Sequence, residues 1–177
     1  GYSDESVAEL TLGLTINVLR NMTRGDAATR SGKTIAGLIG NEINGKTVGI
    51  VGTGRIGQRV ARLFKAFNCT IIGYDPLEPE EGKDIGIEYV TIEALMKQSD
   101  IVTLHLPLMD ATKGFISKTL IDMMQPWSIL INCARGPIVE TQALADALNS
   151  DKIAGAGLDV FDMEPPIPSA YPMLNCK

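Results

Sequence analysis

A chain of 177 residues is long enough to bury one sizeable hydrophobic core but short for two full domains. With 45% apolar and 21% charged residues it has the composition of a globular protein, and no apolar run approaches the ~20 residues that a membrane-spanning helix needs. A net charge of −5 argues against a nucleic-acid-binding protein, because such a surface requires clustered Lys and Arg.

The first five residues contain neither a basic nor an apolar segment, so we expect no secretory signal. The three cysteines, Cys69, Cys133 and Cys176, lack the spacing of metal-binding or redox motifs. We therefore expect reduced thiols, no metal site and a cytoplasmic location.

The chain opens with a predicted helix over residues 6–20. Ser6 and Glu9 have the spacing of a capping box, which favours a helix that begins at this point. From residue 7 to residue 19 the apolar side chains cover more than one stripe, a pattern typical of a helix that is buried on several sides. A second copy of the chain or another domain would provide that burial, and packing wholly within its own domain is the alternative.

Residues 21–44 indicate loops with at most short helices. From residue 47 onward, short β-branched runs alternate with helical patterns. The predicted strands are 47–51, 69–73, 87–90, 101–104, 129–131 and 153–158, and the predicted helices between them are 56–67, 91–97 and 140–148. Such alternation favours right-handed crossovers and a parallel sheet covered on both faces. The predicted fold class is therefore α/β, a Rossmann-type doubly wound sheet in three α/β/α layers, with its sheet domain at about residues 46–165.

A glycine-rich loop follows the first of these strands and leads directly into a helix. Its sequence is Gly52-Thr53-Gly54-Arg55-Ile56-Gly57. Gly52 permits a tight turn, Gly54 lets the backbone approach a pyrophosphate, and Gly57 allows close packing of helix on strand. The helix N-terminus directs free N–H groups and a partial positive charge at phosphates. This context predicts a dinucleotide site, and a purely structural turn is the alternative.

Asp75 stands at the end of the second predicted strand, where a carboxylate would accept hydrogen bonds from the adenosine ribose. NADP carries a phosphate on that ribose, and a carboxylate ~4 Å away costs about 1 to 4 kcal/mol depending on exposure. The following residues, Pro76, Leu77 and Glu78, include no Arg or Lys to receive the phosphate. We therefore predict that NADH binds at least about tenfold more tightly than NADPH.

The sequence resembles the NAD-binding domain of the D-isomer-specific 2-hydroxyacid dehydrogenases, including the phosphoglycerate dehydrogenase-like members. The matching segments cover essentially the whole chain in the family's order. Besides the glycine loop they are Ser6-Val7-Ala8-Glu9, Gly73-Tyr74-Asp75-Pro76, His105-Leu106-Pro107-Leu108 with Thr112, Asn132-Cys133-Ala134-Arg135-Gly136, and Leu158-Asp159-Val160-Phe161 with Glu164-Pro165.

The resemblance implies that Arg135 binds the substrate. A guanidinium fork can hold the carboxylate of a 2-keto acid while it polarises the neighbouring carbonyl. Glu164 would pair with a catalytic histidine and raise the pKa of that histidine. The implied cofactor contacts are Arg55 and Ile56 at the pyrophosphate, Leu106, Pro107 and Thr112 at the adenosine, Cys133, Ala134 and Arg135 at the nicotinamide, and Asp159 at the nicotinamide carboxamide.

His105 is the only histidine of the chain. A dehydrogenase needs a proton donor, and a lone histidine is an obvious candidate for that role. In the family, however, the donor follows the Glu-Pro segment, beyond residue 177. We therefore expect His105 to line the cofactor cleft or to be hydrogen-bonded there, with catalysis as the alternative.

The family's architecture implies a second, substrate-binding domain outside residues 1–177, which we assign as a whole to the NAD-binding domain. We accordingly expect these residues to bind NAD but to turn over no 2-keto acid alone, and to form a homodimer through the opening helix. A dinucleotide-sensing corepressor on the same scaffold and an adenosylhomocysteine hydrolase-like enzyme are the rival interpretations. The presence of Arg135 and Glu164 disfavours the former, and the segments around Arg135 and Asp159 disfavour the latter.

Overall fold

The computed structural model describes residues 4–163 and 166–176. Its helices are α1 (Asp4–Leu19), α2 (Met22–Arg30), α3 (Arg55–Lys65), α4 (Glu80–Ile85), α5 (Ile92–Gln98), α6 (Lys118–Asp122) and α7 (Thr141–Asn149). Its strands are β1 (Thr47–Val51), β2 (Thr70–Tyr74), β3 (Glu88–Tyr89), β4 (Ile101–Leu104), β5 (Ile129–Asn132) and β6 (Gly155–Leu158). Short 3₁₀ turns lie at Gly136–Ile138 and Pro172–Asn175.

These strands form one parallel sheet in the order β3-β2-β1-β4-β5-β6. After β1 the chain adds β2 and then β3 towards one edge of the sheet. It then crosses back, so that β4 lies on the other side of β1. The strand order therefore reverses between β1 and β4. At such a reversal the crossovers diverge and leave a crevice outside the carboxyl ends of the strands.

Helices cover both faces of the sheet. One hydrophobic cluster joins the sheet to α1 and α3, with Val60 and Phe64 fully buried, and the other joins it to α5, α6 and α7. Strands β4 and β5 are buried along their whole length, which explains why they are mainly apolar in the sequence. The prediction of a three-layer α/β fold is confirmed.

Helix α1 packs against α3, β5 and β6 through one narrow face. The fully buried positions of this face are Ala8, Thr11, Thr15 and Leu19. The threonine hydroxyls donate to the carbonyls one turn earlier, at 2.8 Å in each case, so no polar group is left unpaired on this face. Apart from Leu19, the larger apolar side chains of α1 are at most partly buried against the core, and Leu10 is 40% exposed.

The predicted capping box is wrong. Asp4 and Glu5 already belong to α1, so Ser6 lies within the helix and cannot cap it. The two acidic residues occupy the first turn, where negative charge is favourable beside the free N–H groups.

Most predicted boundaries agree with the structure to within a few residues. The predicted strand at 87–90 is reduced to the two residues of β3, and the one at 153–158 begins at Gly155. Helix α2 fits the expectation of short helices between residues 21 and 44, whereas α4 and α6, of six and five residues, were not predicted. Among the described residues no helix is long and apolar enough to cross a membrane.

Candidate cofactor-binding site

The glycine loop is held tightly between two strand ends. The amide of Gly52 donates to the carbonyl of Tyr74 at 2.9 Å, and φ of Gly52 is 91°, in the left-handed region that favours glycine. A Cβ at Gly52 would lie 2.8 Å from the backbone of His105. In the sheet β1 lies between β2 and β4. Only glycine therefore allows the chain to turn at the end of β1, where it is in contact with the ends of both neighbouring strands.

The other two glycines have opposite surroundings. A Cβ at Gly57 would collide with the carbonyl oxygen of Gly52, so Gly57 brings α3 close to the loop. At Gly54 no atom of the described residues lies within 4 Å of an added Cβ, so this position faces open space. Helix α3 begins at Arg55, and the N–H groups of its first turn have no acceptor within the helix. This open, positively polarised end fits the pyrophosphate of a dinucleotide.

Asp75 directly follows β2 and is half-buried beside the loop. Its Oδ2 accepts a hydrogen bond from the amide of Thr53 at 2.9 Å, and its Oδ1 accepts one from the amide of Leu77 at 3.0 Å. These bonds hold a carboxylate next to the glycine loop, at the place where the ribose acid of a dinucleotide site is expected.

A cleft of about 610 Å³ extends from the glycine loop to the ends of β4 and β5. The predicted site residues that line it are Gly54, Arg55, Ile56, Leu106, Pro107, Cys133, Ala134 and Arg135. His105 and Asp4 line it too. A second cavity, of about 660 Å³, lies between α7 and the segment around Tyr171, and none of the predicted site residues that the structure describes lines it.

Arg55 is paired with an acid that the sequence analysis did not single out. Its guanidinium donates to Asp4 Oδ2 from Nε at 2.9 Å and from the terminal nitrogen at 2.5 Å. One turn further along α3, Arg59 donates to Glu5, which holds the pKa of Arg59 above its ordinary value. These pairs join the start of α1 to the start of α3 at the mouth of the cleft. A sequence separation of 51 residues hides this pairing from local patterns.

Asn132 fixes the turn that carries Arg135. Its side chain is almost fully buried, donates to the carbonyl of Arg135 at 3.0 Å and accepts from the amide of Ala134 at 3.0 Å. The guanidinium of Arg135 is exposed at the cleft and donates to the carbonyl of Ala134 at 2.7 Å. The only sequence signal for this role of Asn132 was its place at the end of a predicted strand.

Gly136 brings the turn after β5 against the segment after β6. A Cβ at Gly136 would overlap the backbone of Phe161 and Asp162, so the two segments touch directly. Asp159 joins them as well, because its amide donates to the carbonyl of Asn132 at 3.0 Å, although its exposed side chain does not line the cleft. Glu164 lies outside the described residues.

Cys133 and Thr112 are largely buried and have structural contacts. Burial raises the pKa of Cys133, so the thiol keeps its proton at neutral pH, as expected for a packing residue rather than a nucleophile. The hydroxyl of Thr112 donates to the carbonyl of Pro107 at 2.6 Å and accepts from the amide of Met109 at 2.8 Å. Thr112 is not among the residues lining the cleft, and it closes the loop that presents Leu106 and Pro107.

His105 follows β4 directly, with its Nε2 2.9 Å from the hydroxyl of the fully buried Thr103. Burial lowers the pKa of His105 to about 4, so the imidazole is neutral at pH 7.

Among the described residues, no group of three or more His, Cys, Asp or Glu side chains could hold a metal ion.

Comparison with known proteins agrees with this geometry. Residues 12–177 match the family described as D-isomer specific 2-hydroxyacid dehydrogenase, NAD binding domain. Hydroxypyruvate reductase of Thermotoga maritima is 42% identical over 94% of this chain, and D-3-phosphoglycerate dehydrogenase of Methanocaldococcus jannaschii is 44% identical over 93%. The chain spans 54% and 32%, respectively, of the lengths of these relatives. The structure of D-lactate dehydrogenase from Aquifex aeolicus, complexed with NAD and lactic acid, is 36% identical with a TM-score of 0.86, and the match covers 92% of this chain and 49% of that one.

Proposed function

Because the chain belongs to the D-isomer specific 2-hydroxyacid dehydrogenase family, we propose that its cleft holds NAD in an oxidoreductase that interconverts D-2-hydroxy acids and 2-keto acids. The observation that carries this proposal is the arrangement at the end of β1. The open position at Gly54 and the free N-terminus of α3 border one cleft, and the carboxylate of Asp75 is hydrogen-bonded to the neighbouring residue of the glycine loop, Thr53.

In this site the pyrophosphate would be held by the glycine loop and the start of α3, through Gly52, Gly54, Arg55, Ile56 and Gly57. The carboxylate of Asp75 would accept hydrogen bonds from the adenosine ribose. The guanidinium of Arg55 would leave the carboxylate of Asp4 and pair with a phosphate of the cofactor. The carboxylate and the phosphate are both anions within reach of this guanidinium. Leu106 and Pro107 would border the adenosine, with Thr112 supporting their loop, and Cys133, Ala134 and Asp159 would lie towards the nicotinamide. When bound, NAD supplies the centre that accepts or donates a hydride.

Arg135 would orient the substrate by holding the carboxylate of a 2-keto acid and polarising the adjacent carbonyl. Its guanidinium is exposed at the cleft, and the buried side chain of Asn132 holds the turn that carries it. Both observations support this role. As the resemblance to the family implies, Glu164 would raise the pKa of a catalytic histidine. We assign the proton donor to a residue other than His105, because His105 is neutral at pH 7.

Turnover by the intact protein tests this function. We expect it to oxidise NADH with at least one of pyruvate, glyoxylate, hydroxypyruvate and 3-phosphohydroxypyruvate. Arg135→Gln should lower kcat/KM for that acid at least about 100-fold. The substitution removes the guanidinium that would bind the carboxylate and the carbonyl oxygen in the substrate and in the transition state. The dissociation constant of NADH should change less than about threefold in the same variant.

The rival function is a corepressor that senses the dinucleotide without chemistry. If the intact protein binds NADH but consumes none with any of the four acids, the dehydrogenase proposal fails and the corepressor remains. The exposed guanidinium of Arg135 favours the enzyme, because sensing the dinucleotide requires no group for a substrate carboxylate.

We further propose a homodimer and a cytoplasmic location. Leu10 on α1 is 40% exposed, and Met22, Ile35 and Ile39 on and after α2 are 56%, 59% and 92% exposed. Met22, Ile35 and Ile39 line one surface pocket, and such an exposed apolar group supports burial against a second copy of the chain. The free thiols of Cys69, Cys133 and Cys176 support a reducing compartment.

A further inference from the structure

The glycine loop contains a buried hydroxyl for which the proposed cofactor contacts give no role. Thr53, between Gly52 and Gly54, is fully buried. Its Oγ1 lies 2.8 Å from the phenol oxygen of Tyr89 and 3.3 Å from Asp75 Oδ2. The same phenol oxygen lies 3.2 Å from the carbonyl oxygen of Pro79. A chain of hydrogen-bonding groups therefore connects Asp75 to Pro79 through Thr53 and Tyr89.

Two glycines make room for this chain. A Cβ at Gly82 would collide with the hydroxyl of Tyr89, and a Cβ at Gly73 would lie 2.9 Å from the methyl group of Thr53. Tyr89 lies on β3, at the edge of the sheet, and its pairing beside Gly73 brings the ring towards the glycine loop. Burial raises the pKa of Tyr89, so its hydroxyl keeps a proton to donate.

Each hydroxyl donates once, and only two arrangements place a proton between the hydroxyl oxygens of Thr53 and Tyr89, which lie 2.8 Å apart. In the first arrangement Tyr89 donates to Thr53, and Thr53 donates to Asp75. In the second, Thr53 donates to Tyr89, and Tyr89 donates to the carbonyl of Pro79. The carboxylate favours the first arrangement when nothing else donates to it, because hydrogen bonds to a charged acceptor are the stronger ones.

The two arrangements differ in what they leave free on Asp75. Each carboxylate oxygen can accept two hydrogen bonds. Oδ1 accepts from the amide of Leu77 and, among the residues that the structure describes, has no second donor. Oδ2 accepts from the amide of Thr53, and in the first arrangement the hydroxyl of Thr53 fills its second position. The ribose of NAD presents two adjacent hydroxyls, which would both find an acceptor on Asp75 only in the second arrangement.

We propose that Thr53 and Tyr89 are positioning residues that turn a hydroxyl away from Asp75 and so open its second acceptor site to the ribose. This inference rests on the proposed binding of NAD and adds a specificity determinant to it. Tyr89 matters because it offers Thr53 another acceptor. The 2′-phosphate of NADPH replaces one of the donating hydroxyls, so NADPH gains nothing from the second site.

A double-mutant cycle on the 177-residue chain tests the proposal, with NADH and NADPH titrated calorimetrically. Tyr89→Phe leaves Thr53 no acceptor but Asp75, and we expect NADH to bind about tenfold more weakly, with NADPH affinity changed less than about twofold. Thr53→Val removes the hydroxyl that must turn, so NADH affinity should stay at or above the wild-type value. In the Thr53→Val background Tyr89→Phe should have no effect on NADH. Tyr74→Phe is the matched control, because the ring of Tyr74 stacks on Phe115, outside this chain of hydroxyls.

Each outcome separates this inference from the proposed function. If the wild-type chain does not bind NADH, the proposed function itself fails. If NADH binds but Tyr89→Phe has no effect, or has the same effect in the Thr53→Val background as in the wild type, only the inference fails, because a merely structural role of Tyr89 would persist in both backgrounds. Should Tyr89→Phe not fold, Thr53→Val decides alone, and a fivefold or greater loss of NADH affinity would overturn the proposal.

Discussion

His105 and Asp75 are two titratable residues beside the glycine loop whose surroundings differ. Asp75 accepts a backbone hydrogen bond on each carboxylate oxygen. His105 lies beside a buried threonine, where desolvation disfavours the imidazolium. In the proposed site the carboxylate of Asp75 would select the cofactor, whereas His105 would contribute shape and a neutral hydrogen-bonding group.

The lowered pKa of His105 predicts a loss of stability in acid. Since its pKa falls from 6.5 in the unfolded chain to about 4 in the fold, the unfolded state binds more protons between these values. Stability is therefore fully present above pH 6.5 and is lost as the pH falls towards 4. Between pH 7 and pH 5 the free energy of unfolding should fall about 1–2 kcal/mol more for the wild type than for His105→Gln. Urea denaturation of both proteins at the two pH values measures this difference, and equal losses would contradict the assignment.

At the scale of elements, two positions of the glycine loop should differ in effect, because Gly54 faces the proposed cofactor and Gly57 packs within the fold. Gly54→Ala adds a methyl group where the described structure has open space, so the free energy of unfolding should change by less than about 1 kcal/mol. Gly57→Ala places the same group against the carbonyl of Gly52, so it should lower that free energy by about 1–3 kcal/mol. The methyl group of Gly54→Ala would occupy the approach to the pyrophosphate, so NADH should bind at least about tenfold more weakly.

Urea denaturation and NADH titration of the two glycine variants provide the measurement, and each variant controls for the other. Wild-type NADH affinity in Gly54→Ala would contradict the placement of the pyrophosphate. Equal loss of stability in both variants would contradict the packing described for Gly57.

How far an element could be predicted from the sequence depended on what buries it. Strands β1 and β4 are mainly apolar and β-branched because helices cover both faces of the sheet, and their predicted boundaries are those observed. The packed face of α1 was not predictable in the same way, since two of its four buried residues are the polar Thr11 and Thr15. The hydroxyls of those threonines are paired within the helix, which a hydrophobic pattern does not reveal.

The geometry of the candidate site was predictable where a motif fixes the backbone and not where distant side chains meet. The tight turn of the glycine loop, with Asp75 beside it, could be expected because turn geometry requires particular residues at fixed spacing. The role of these residues in binding a cofactor stays a prediction. The pair of Asp4 with Arg55 and that of Thr53 with Tyr89 join residues 51 and 36 positions apart. Only the parallel sheet and the packing of α1 on α3 bring these partners together.

At the scale of the whole molecule, the apolar residues left exposed on α1 and around α2 predict self-association. We expect the wild-type chain to sediment as a dimer at micromolar concentration. Ile39→Asp places a charge at a position that is 92% exposed, so it should shift the equilibrium to monomer while leaving the melting temperature nearly unchanged. Leu77→Asp, at an 86% exposed position beside the cofactor cleft, is the control that should remain dimeric. A wild-type monomer across this concentration range would contradict the proposed dimer.

The central claim is that this fold is an NAD site in which Asp75 selects the cofactor. Calorimetric titration of the 177-residue chain with NADH and with NADPH at one salt concentration tests it most directly. We predict saturable binding of one NADH per chain, with a dissociation constant at least about tenfold below that of NADPH, because the carboxylate opposes the 2′-phosphate. Equal dissociation constants, or no binding of NADH, would contradict the claim.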